Sequence, residues 1–193
     1  GTCPRYSDEK KNDNAKSDLV GDEKCRAENA MIVDLLRNDL SRVCTDHSID
    51  VPSLCEIESY SRVNHMVSTV TGRLRPDKNT MDLIKASFPG GSITGAPKIR
   101  AMEIIEELEN YRRGPYCGAI GMIDFNGNLE TSLAIRTIVH HNGTIRLNVG
   151  SGIVADSDPI DEFQEILTKA EGLLQSFREP VSSNDSIAEV KKA

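Results

Sequence analysis

Three glutamates stand in helical, apolar surroundings where a carboxylate has a chemical use. Glu28 lies in CRAENAM, and Glu165 lies in DEFQEILTKA with Glu162 one turn before it. Carboxylate oxygens are the ligands that Mg²⁺ prefers, and this ion keeps coordination positions open for a substrate. We therefore predict that Glu28 and Glu165, joined by Glu162, hold Mg²⁺. The alternative for each glutamate is a solvated surface position, where Lys169, four residues after Glu165, forms an i,i+4 ion pair with it.

A glycine-bearing turn, NVGSGIVADS, is the second feature that could do chemistry. Gly150 and Gly152 flank Ser151 at the end of a predicted strand. Glycines at such a place allow backbone N–H groups to approach an anion closely, as in anion-binding nests. The alternative interpretation is an ordinary bulge or tight turn.

Arg136 is the most informative of the remaining polar residues. It interrupts an apolar strand, LAIRTIV, where a charge must point to solvent or meet an anion. Alternation puts Ile135 and Thr137 on one face of that strand and Arg136 on the other, and a guanidinium suits bidentate binding of a carboxylate. The other polar candidates are His65, Thr94, Lys98 and Tyr116. Each signal is weak alone, and together they indicate a pocket for a small dicarboxylate.

Helices must position part of this set. Apolar residues recur at helical spacing from Asp18 to about Val43, which predicts one long helix. Thr80 is placed to cap a short helix, and Pro97 stands near the first turn of a helix that Gly114-Pro115 ends. A last helix is predicted from about Ile160 to Phe177.

Strands must position the rest. Alternating or β-branched runs at Ile49–Val51, Leu54–Tyr60 and His65–Leu74 predict a first group of strands. Three further runs between Tyr116 and Val154 are joined by Asn126-Gly127 and Asn142-Gly143. Because Asn-Gly favours tight hairpin turns with positive φ at both residues, these runs predict a three-stranded antiparallel meander. Antiparallel strands separated by helices indicate an α+β fold.

The predicted domain organisation is simple. Residues 1–17 are polar and without periodicity, which predicts an exposed loop. Residues 18–178 carry the alternating helices and strands of one domain, and the polar residues 179–193 predict a disordered tail.

Composition excludes some classes of function. The net charge of −7 over 193 residues argues against a nucleic-acid surface, and no run of apolar residues is long enough to span a membrane. The five cysteines are odd in number and without C-x-x-C spacing, which favours isolated reduced thiols over a zinc site. We expect a cytoplasmic protein, or a plastid one if a targeting segment lies upstream.

Several long segments, in order, resemble the chorismate-utilising enzyme family, which includes anthranilate, aminodeoxychorismate, isochorismate and salicylate synthases. The resemblance covers nearly all of residues 1–178 and rests on the segments RAENAMIVDLLRNDLSRVC, VNHMVSTVTGRL, FPGGSITGAPKIRAMEIIEELE, YCGAIGMID, LAIRTIV, GSGIVADS and EFQEILTKA. It implies the C-terminal part of a chorismate-binding fold in which long helices pack on an antiparallel sheet. FPGGSITGAPK is most similar to the aminodeoxychorismate synthase version, whereas anthranilate synthases more often carry an Ala-Gly pair there.

The resemblance also implies roles for matched residues. Glu28 and Glu165 would hold the Mg²⁺ that clamps the ring carboxylate of chorismate, and the backbone N–H groups of Gly150, Ser151 and Gly152 would support that carboxylate. Tyr116 and Arg136 would hold the carboxylate of the enolpyruvyl arm. His65 and Thr94 would lie beside the ring, near the C4 hydroxyl that departs. Lys98 and Lys169 would assist electrostatically.

The implied reaction is amination of chorismate at C4, with ammonia from a glutamine amidotransferase subunit or fused domain. The family's nucleophilic lysine stands in a Pro-Ile-Lys-Gly-Thr motif, whose end matches Gly1-Thr2, so that lysine would directly precede Gly1. We therefore expect the 193-residue chain to be a fragment that is inactive alone. Anthranilate synthase component I and a non-catalytic chorismate-binding remnant remain the alternatives.

Overall fold

The computed structural model describes residues 1–61, 63–155 and 157–177, which form two compact units. The first unit comprises Gly1–Tyr111 and Gly121–Thr131, and the second comprises Arg112–Ile120 and the chain from Ser132 onward. Helices and antiparallel strands make up the described chain, so the predicted α+β class is confirmed. The predicted tail, 179–193, lies outside the described residues.

The first unit contains a three-stranded antiparallel sheet in the order β1-β3-β2, together with five helices among its described residues. The strands are β1 (Thr2–Pro4), β2 (Asp50–Ser59) and β3 (Val63–Thr71). The helices are α1 (Glu9–Gly21), α2 (Glu23–Ser41), α3 (Thr80–Ser87), α4 (Gly91–Thr94) and α5 (Lys98–Leu108). Helix α2 packs against β2, β3, α3 and α4, so it is the central support of this unit.

The prediction of an exposed loop over residues 1–17 is wrong, because β1 and most of α1 lie there. Asp8 caps α1 by accepting a hydrogen bond from the backbone N–H of Lys11 at 2.8 Å. Helix α1 buries Asn12, whose side-chain oxygen accepts a hydrogen bond from Asn64 at 3.0 Å. The contact that orders this segment is polar and 52 residues away in sequence, so hydrophobic periodicity carries no sign of it.

The helix predicted from Asp18 to Val43 is two helices that meet at Asp22. Asp22 ends α1 in an extended conformation and caps α2 by accepting a hydrogen bond from the N–H of Cys25 at 2.9 Å. An aspartate favours this capping role over a helix interior because its carboxylate satisfies an unpaired N–H of the first turn. The described part of the chain beyond Ser41 continues as a turn, in which Val43 and Cys44 pack with Ala86 in a small core.

The short helix α3 confirms the predicted element and corrects its cap. Asn79, not Thr80, accepts hydrogen bonds from the first turn, and the Asp82 carboxylate accepts a hydrogen bond from the N–H of Asn79. Thr80 instead donates its hydroxyl to the carbonyl of Gly127 at 2.7 Å.

The prediction of one three-stranded meander between Tyr116 and Val154 is wrong, because the strands form two separate two-stranded sheets. Strands β4 (Ala119–Ile123) and β5 (Leu129–Leu133) form one two-stranded sheet, and β6 (Ile138–His141) pairs antiparallel with β7 (Thr144–Leu147) in another. The predicted middle strand is interrupted at Arg136, whose φ of 51° is incompatible with an extended strand.

The two Asn-Gly turns differ. Asn142 and Gly143 both have positive φ, at 48° and 73°, which confirms the predicted hairpin turn. At the other turn only Gly127, with φ of 86°, belongs to the positive-φ residues. There Asp124 accepts hydrogen bonds from the backbone N–H groups of Asn126 and Asn128.

Helix α6 (Pro159–Leu174) and a 3₁₀ turn (Gln175–Phe177) confirm the predicted last helix. Asp158 caps α6 by accepting from Ile160 and Asp161, and Pro159 occupies a first-turn position that needs no donor. No helix among the described residues is long and apolar enough to cross a bilayer.

Candidate functional site

In the second unit, α6 and the 150–152 turn bring several predicted residues together. Lys169 Nζ donates a hydrogen bond to the carbonyl oxygen of Gly150 at 3.2 Å. The same ammonium pairs with Glu165, one turn earlier on α6. The i,i+4 ion pair, which was the alternative interpretation of Glu165, is therefore present, and Lys169 also links it to the glycine-bearing turn. We call Tyr116, Gly150, Ser151, Glu165 and Lys169 the α6 cluster.

Tyr116 approaches the turn closely at Gly150. A Cβ added at residue 150 would lie 2.9 Å from the Tyr116 hydroxyl oxygen, so only glycine fits without a shift. Gly152 is different, because no described atom lies within 4 Å of an added Cβ there. The need for close approach therefore applies to Gly150 and not to Gly152.

Ser151 provides a polar atom with a free hydrogen-bonding capacity. Its Oγ is buried, and among the described residues it has no hydrogen-bond partner. A buried hydroxyl without a partner costs free energy, so a ligand that pairs with it gains affinity.

Glu162 has a structural task beside this cluster. Its side chain is buried, and its Oε1 accepts a hydrogen bond from the Ser157 hydroxyl at 2.6 Å. Ser157 Oγ in turn accepts from the N–H of Val154 at 3.1 Å. Glu162 thereby fixes the end of the 150–157 segment to the first turn of α6.

Arg136 is exposed and lies in the irregular segment between β5 and β6. The prediction that Ile135 and Thr137 alternate with it across a strand is wrong, because the Thr137 hydroxyl donates to the Ile135 carbonyl at 2.9 Å in a local turn. Cys117 N and Gly118 O bond to the backbone of Ala134 at 3.0 and 2.8 Å. The segment of Tyr116 is thus joined to the segment of Arg136.

The first unit carries the other four predicted residues on separate elements. Glu28 is half-buried on α2, and His65 is exposed on β3, opposite Thr2 of β1 and Glu58 of β2. Thr94 ends α4 and donates its hydroxyl to the Gly90 carbonyl at 3.1 Å. Lys98 begins α5 and donates to a carboxylate oxygen of Asp39 at 2.6 Å.

The surroundings of His65 include a short acid–phenol contact. Its ring meets the Tyr60 ring edge-on, with 6.2 Å between centroids. The Tyr60 hydroxyl donates to Glu58 Oε2 at 2.5 Å, and this hydrogen bond raises the pKa of Tyr60 above its usual 10.0. Tyr60 is therefore a neutral hydrogen-bond donor at physiological pH.

The donor set suits a hard cation in its chemistry. Glu28, Glu162 and Glu165 offer carboxylate oxygens only, and the last two stand three residues apart on one face of α6. In the described ranges, no group of three or more His, Cys, Asp and Glu side chains is arranged to hold a metal ion. The predicted Mg²⁺ site therefore stays a prediction.

Asp39 is the polar residue that our sequence reasoning missed. Its side chain is buried, and it holds Lys98. A signal was available, because Asp39 follows Leu35 by four residues and Leu36 by three, within the apolar stripe of α2. A charge in such a stripe needs a partner.

Comparison with known proteins places the chain in a family. The sequence profile of the chorismate binding enzymes matches residues 1–175. The chain therefore belongs to the chorismate binding enzyme family.

Named relatives fall in two branches of that family. Over 92% of this chain, it is 52% identical to anthranilate synthase component 1 of Synechocystis sp. and 48% identical to aminodeoxychorismate synthase component 1 of Escherichia coli. It spans 36% and 39% of the lengths of these relatives, respectively.

Solved structures agree on the fold. Anthranilate synthase component I from Streptococcus pneumoniae superposes with a TM-score of 0.76 at 40% identity, over 89% of this chain and 39% of that one. The menaquinone-specific isochorismate synthase from Escherichia coli superposes with a TM-score of 0.79 at 26% identity, over 90% of this chain and 40% of that one. The predicted architecture, helices packed with antiparallel strands as in anthranilate synthase component I, is confirmed.

Proposed function

We propose that the protein carrying this chain aminates chorismate at C4 to give 4-amino-4-deoxychorismate, the activity of aminodeoxychorismate synthase component I. The observation that supports binding of chorismate is the α6 cluster, in which the Tyr116 hydroxyl, Lys169 and the buried Ser151 hydroxyl lie at the turn that contains Gly150. The observation that favours this product is the segment Phe88–Lys98, FPGGSITGAPK, which resembles the aminodeoxychorismate synthase version.

The second unit supplies groups suited to a dianion. Chorismate carries two carboxylates, and a chain of net charge −7 must gather local donors to hold them. Tyr116 and Arg136 lie on joined segments and would hold the enolpyruvyl carboxylate. The turn at 150–152 would donate backbone N–H groups and the Ser151 hydroxyl to the ring carboxylate. Lys169, already beside Gly150, adds positive charge there.

Glu28 and Glu165, joined by Glu162 of α6, are the residues that would hold Mg²⁺. The ion would supply Lewis-acid polarisation of the bound carboxylate, which makes departure of the C4 hydroxyl easier. Glu165 is the more accessible of the two α6 carboxylates, and Glu162 already serves Ser157. We therefore assign Glu165 the larger share in holding the ion.

The reaction exchanges one oxygen for one nitrogen at C4. The C4–O bond breaks, the C4–N bond to ammonia forms, and the hydroxide leaves as water after it gains a proton. We assign His65 and Thr94 to the departing hydroxyl. The imidazole of His65 would donate the proton, and the hydroxyl of Thr94 would orient the departing group. A glutamine amidotransferase subunit or domain would supply the ammonia.

Anthranilate synthase component I is the second candidate, favoured by the 52% identity to the Synechocystis relative. Its product differs: ortho-aminobenzoate forms directly and pyruvate is released. Aminodeoxychorismate retains the enolpyruvyl arm and gives para-aminobenzoate only after a separate lyase acts.

Product analysis decides between these functions. The full-length gene product is incubated with chorismate, MgCl₂ and ammonium chloride, and the products are separated by liquid chromatography with mass detection. We expect aminodeoxychorismate, which a lyase then converts to para-aminobenzoate. Anthranilate with pyruvate would replace our assignment by the second candidate. Unchanged chorismate would contradict both, and binding without turnover would identify a chorismate-binding remnant.

A further inference from the structure

A buried ion pair joins α2 to α5 in the first unit. Lys98 Nζ lies 2.6 Å from Asp39 Oδ2, and the two side chains are 16% and 6% exposed. Charges removed from water in this way gain little net stability, because their attraction mainly offsets the cost of desolvation. Their value lies in geometry, since a buried charge accepts few arrangements other than the one that pairs it.

The same face of α2 contacts the segment that precedes Lys98. A Cβ added at Gly91 would lie 2.9 Å from Leu35 Cδ1 and 3.0 Å from Leu35 Cβ, so α4 sits directly against α2. Leu35 and Asp39 are one helical turn apart on α2. The segment Gly91–Lys98 is therefore held at both of its ends by neighbouring positions of one helix.

Thr94 lies between these two anchors. It ends α4, and Gly95 follows with φ of 114°, a conformation that glycine adopts readily. Rotation at this glycine would move Thr94 unless both ends of the segment were fixed. The Asp39–Lys98 pair supplies the fixed end on the C-terminal side.

We infer that Asp39 is a positioning residue, which holds Lys98 and thereby fixes the segment that contains Thr94. In this role Lys98 binds Asp39 and does not act on the substrate. The inference rests on the proposed amination of chorismate and assigns Lys98 a role different from electrostatic assistance to the ligand. Neither residue needs to gain or lose a proton in this role.

A double-substitution cycle in the full-length protein tests the inference. The variants are Asp39→Asn, Lys98→Met and the two combined, and the readouts are kcat and KM for chorismate. Displacement of a reacting group by about 1 Å costs up to about 100-fold in rate, so we expect each single change to lower kcat by 10- to 100-fold and KM to change little. Because both changes remove the same contact, the combined variant should be no slower than the slower single one. The inference would be overturned if Lys98→Met lowered kcat far more than Asp39→Asn did, and if the two losses multiplied in the combined variant.

Conservative replacement separates positioning from chemistry. Arginine keeps the charge and the hydrogen bond but does not transfer protons at ordinary pH. We expect Lys98→Arg to keep kcat within about tenfold of the wild type and to retain its pH profile. Loss of activity as severe as in Lys98→Met, or loss of one limb of the pH profile, would show that Lys98 itself reacts.

Two controls keep the outcomes distinct. Arg100→Gln removes exposed ion pairs with Glu103 and Glu107 on the same helix, and it should leave kcat and KM unchanged. The combined neutral variant leaves no unpaired buried charge, so it stays informative if a single variant fails to fold. An inactive wild type would contradict the proposed function, whereas an active wild type with independent losses would contradict only the positioning inference.

Discussion

The Ser151 hydroxyl is buried without a partner in the described part of the chain, at the turn that the α6 cluster surrounds. Removing such a group leaves stability unchanged or raises it, because its desolvation is no longer uncompensated. Removing it from a ligand site also removes one donor from the ligand. The two effects have opposite signs, and this makes the residue a sensitive reporter of function.

We predict that Ser151→Ala raises KM for chorismate by about 5- to 10-fold, the equivalent of one hydrogen bond of about 1–1.5 kcal/mol, and does not lower the midpoint of thermal unfolding. Steady-state kinetics and thermal denaturation of the full-length protein measure the two quantities. Ser132→Ala, at an exposed serine of β5, is the matched control and should alter neither quantity. An unchanged KM for Ser151→Ala would show that this hydroxyl does not bind the substrate.

At the same scale, Arg136 shows where sequence reasoning reaches its limit. The residue type and its apolar neighbours identified an arginine with a special task, and alternation then placed it in a strand. The structure gives it a positive φ between two strands, which a period-two pattern has no means of expressing. The residue type of Arg136 was enough to single it out, whereas its conformation is set by a backbone geometry that the sequence pattern does not show.

Among the elements, the junction of α1 and α2 depends on a single aspartate. Asp22 accepts the hydrogen bond of the Cys25 N–H, and this bond is the main cause that lowers the pKa of Asp22 below its usual 3.8. A carboxyl group with a lowered folded-state pKa adds stability that is present above its unfolded pKa. That stability is lost as the pH falls through the folded pKa, so the window lies below pH 3.8.

We predict that Asp22→Ala destabilises the protein by about 1 kcal/mol at neutral pH through loss of the cap. The difference from wild type should shrink as the pH falls from 3.8 through the lowered folded-state pKa of Asp22, because the wild-type carboxylate then becomes protonated and its extra stability is lost. Urea unfolding across this pH range measures it. Asp22→Asn keeps a capping acceptor and should lose less; a constant difference at every pH would argue against the carboxylate as the cap.

Helices and strands differed in how much the sequence revealed. The apolar stripes of α5 and α6 and the alternation in β2 and β3 were sufficient to predict those elements. The part of α1 before Asp18 was missed because its buried residue is Asn12, whose hydrogen-bond partner lies on β3. Caps at Asp22 and Asn79 are visible as residue types but were not given their roles, since several nearby residues could serve equally well.

At the scale of the whole molecule, the proposed activity belongs to a protein longer than this chain. The chain spans 36% to 39% of the relatives named above, so tests of activity require the full-length protein. Glu28, Glu162 and Glu165 were predicted as metal ligands from their helical context, and their joint action stays a prediction, because no local pattern encodes which distant residues meet.

We predict that EDTA abolishes consumption of chorismate and that MgCl₂ restores it. Glu165→Gln should weaken Mg²⁺ binding by about 10-fold or more, because a neutral amide is a poorer ligand than a carboxylate. Titration calorimetry with Mg²⁺ gives this affinity independently of turnover. Glu103→Gln, an exposed glutamate of α5, serves as the control. Full activity in EDTA would contradict the metal requirement.

Asn64, fully buried on β3, has a consequence for the order in which the first unit assembles. Its side chain joins Asn12 and the carbonyl of Pro4, 52 and 60 residues away, and accepts from Ser59 only five residues away. The entropy of loop closure grows with the logarithm of loop length, so the distant contacts cost about 2 kcal/mol more to form than the hairpin contact. The β2–β3 hairpin can therefore form before β1 docks, and the amides that β1 protects should exchange with solvent earlier than those of the hairpin.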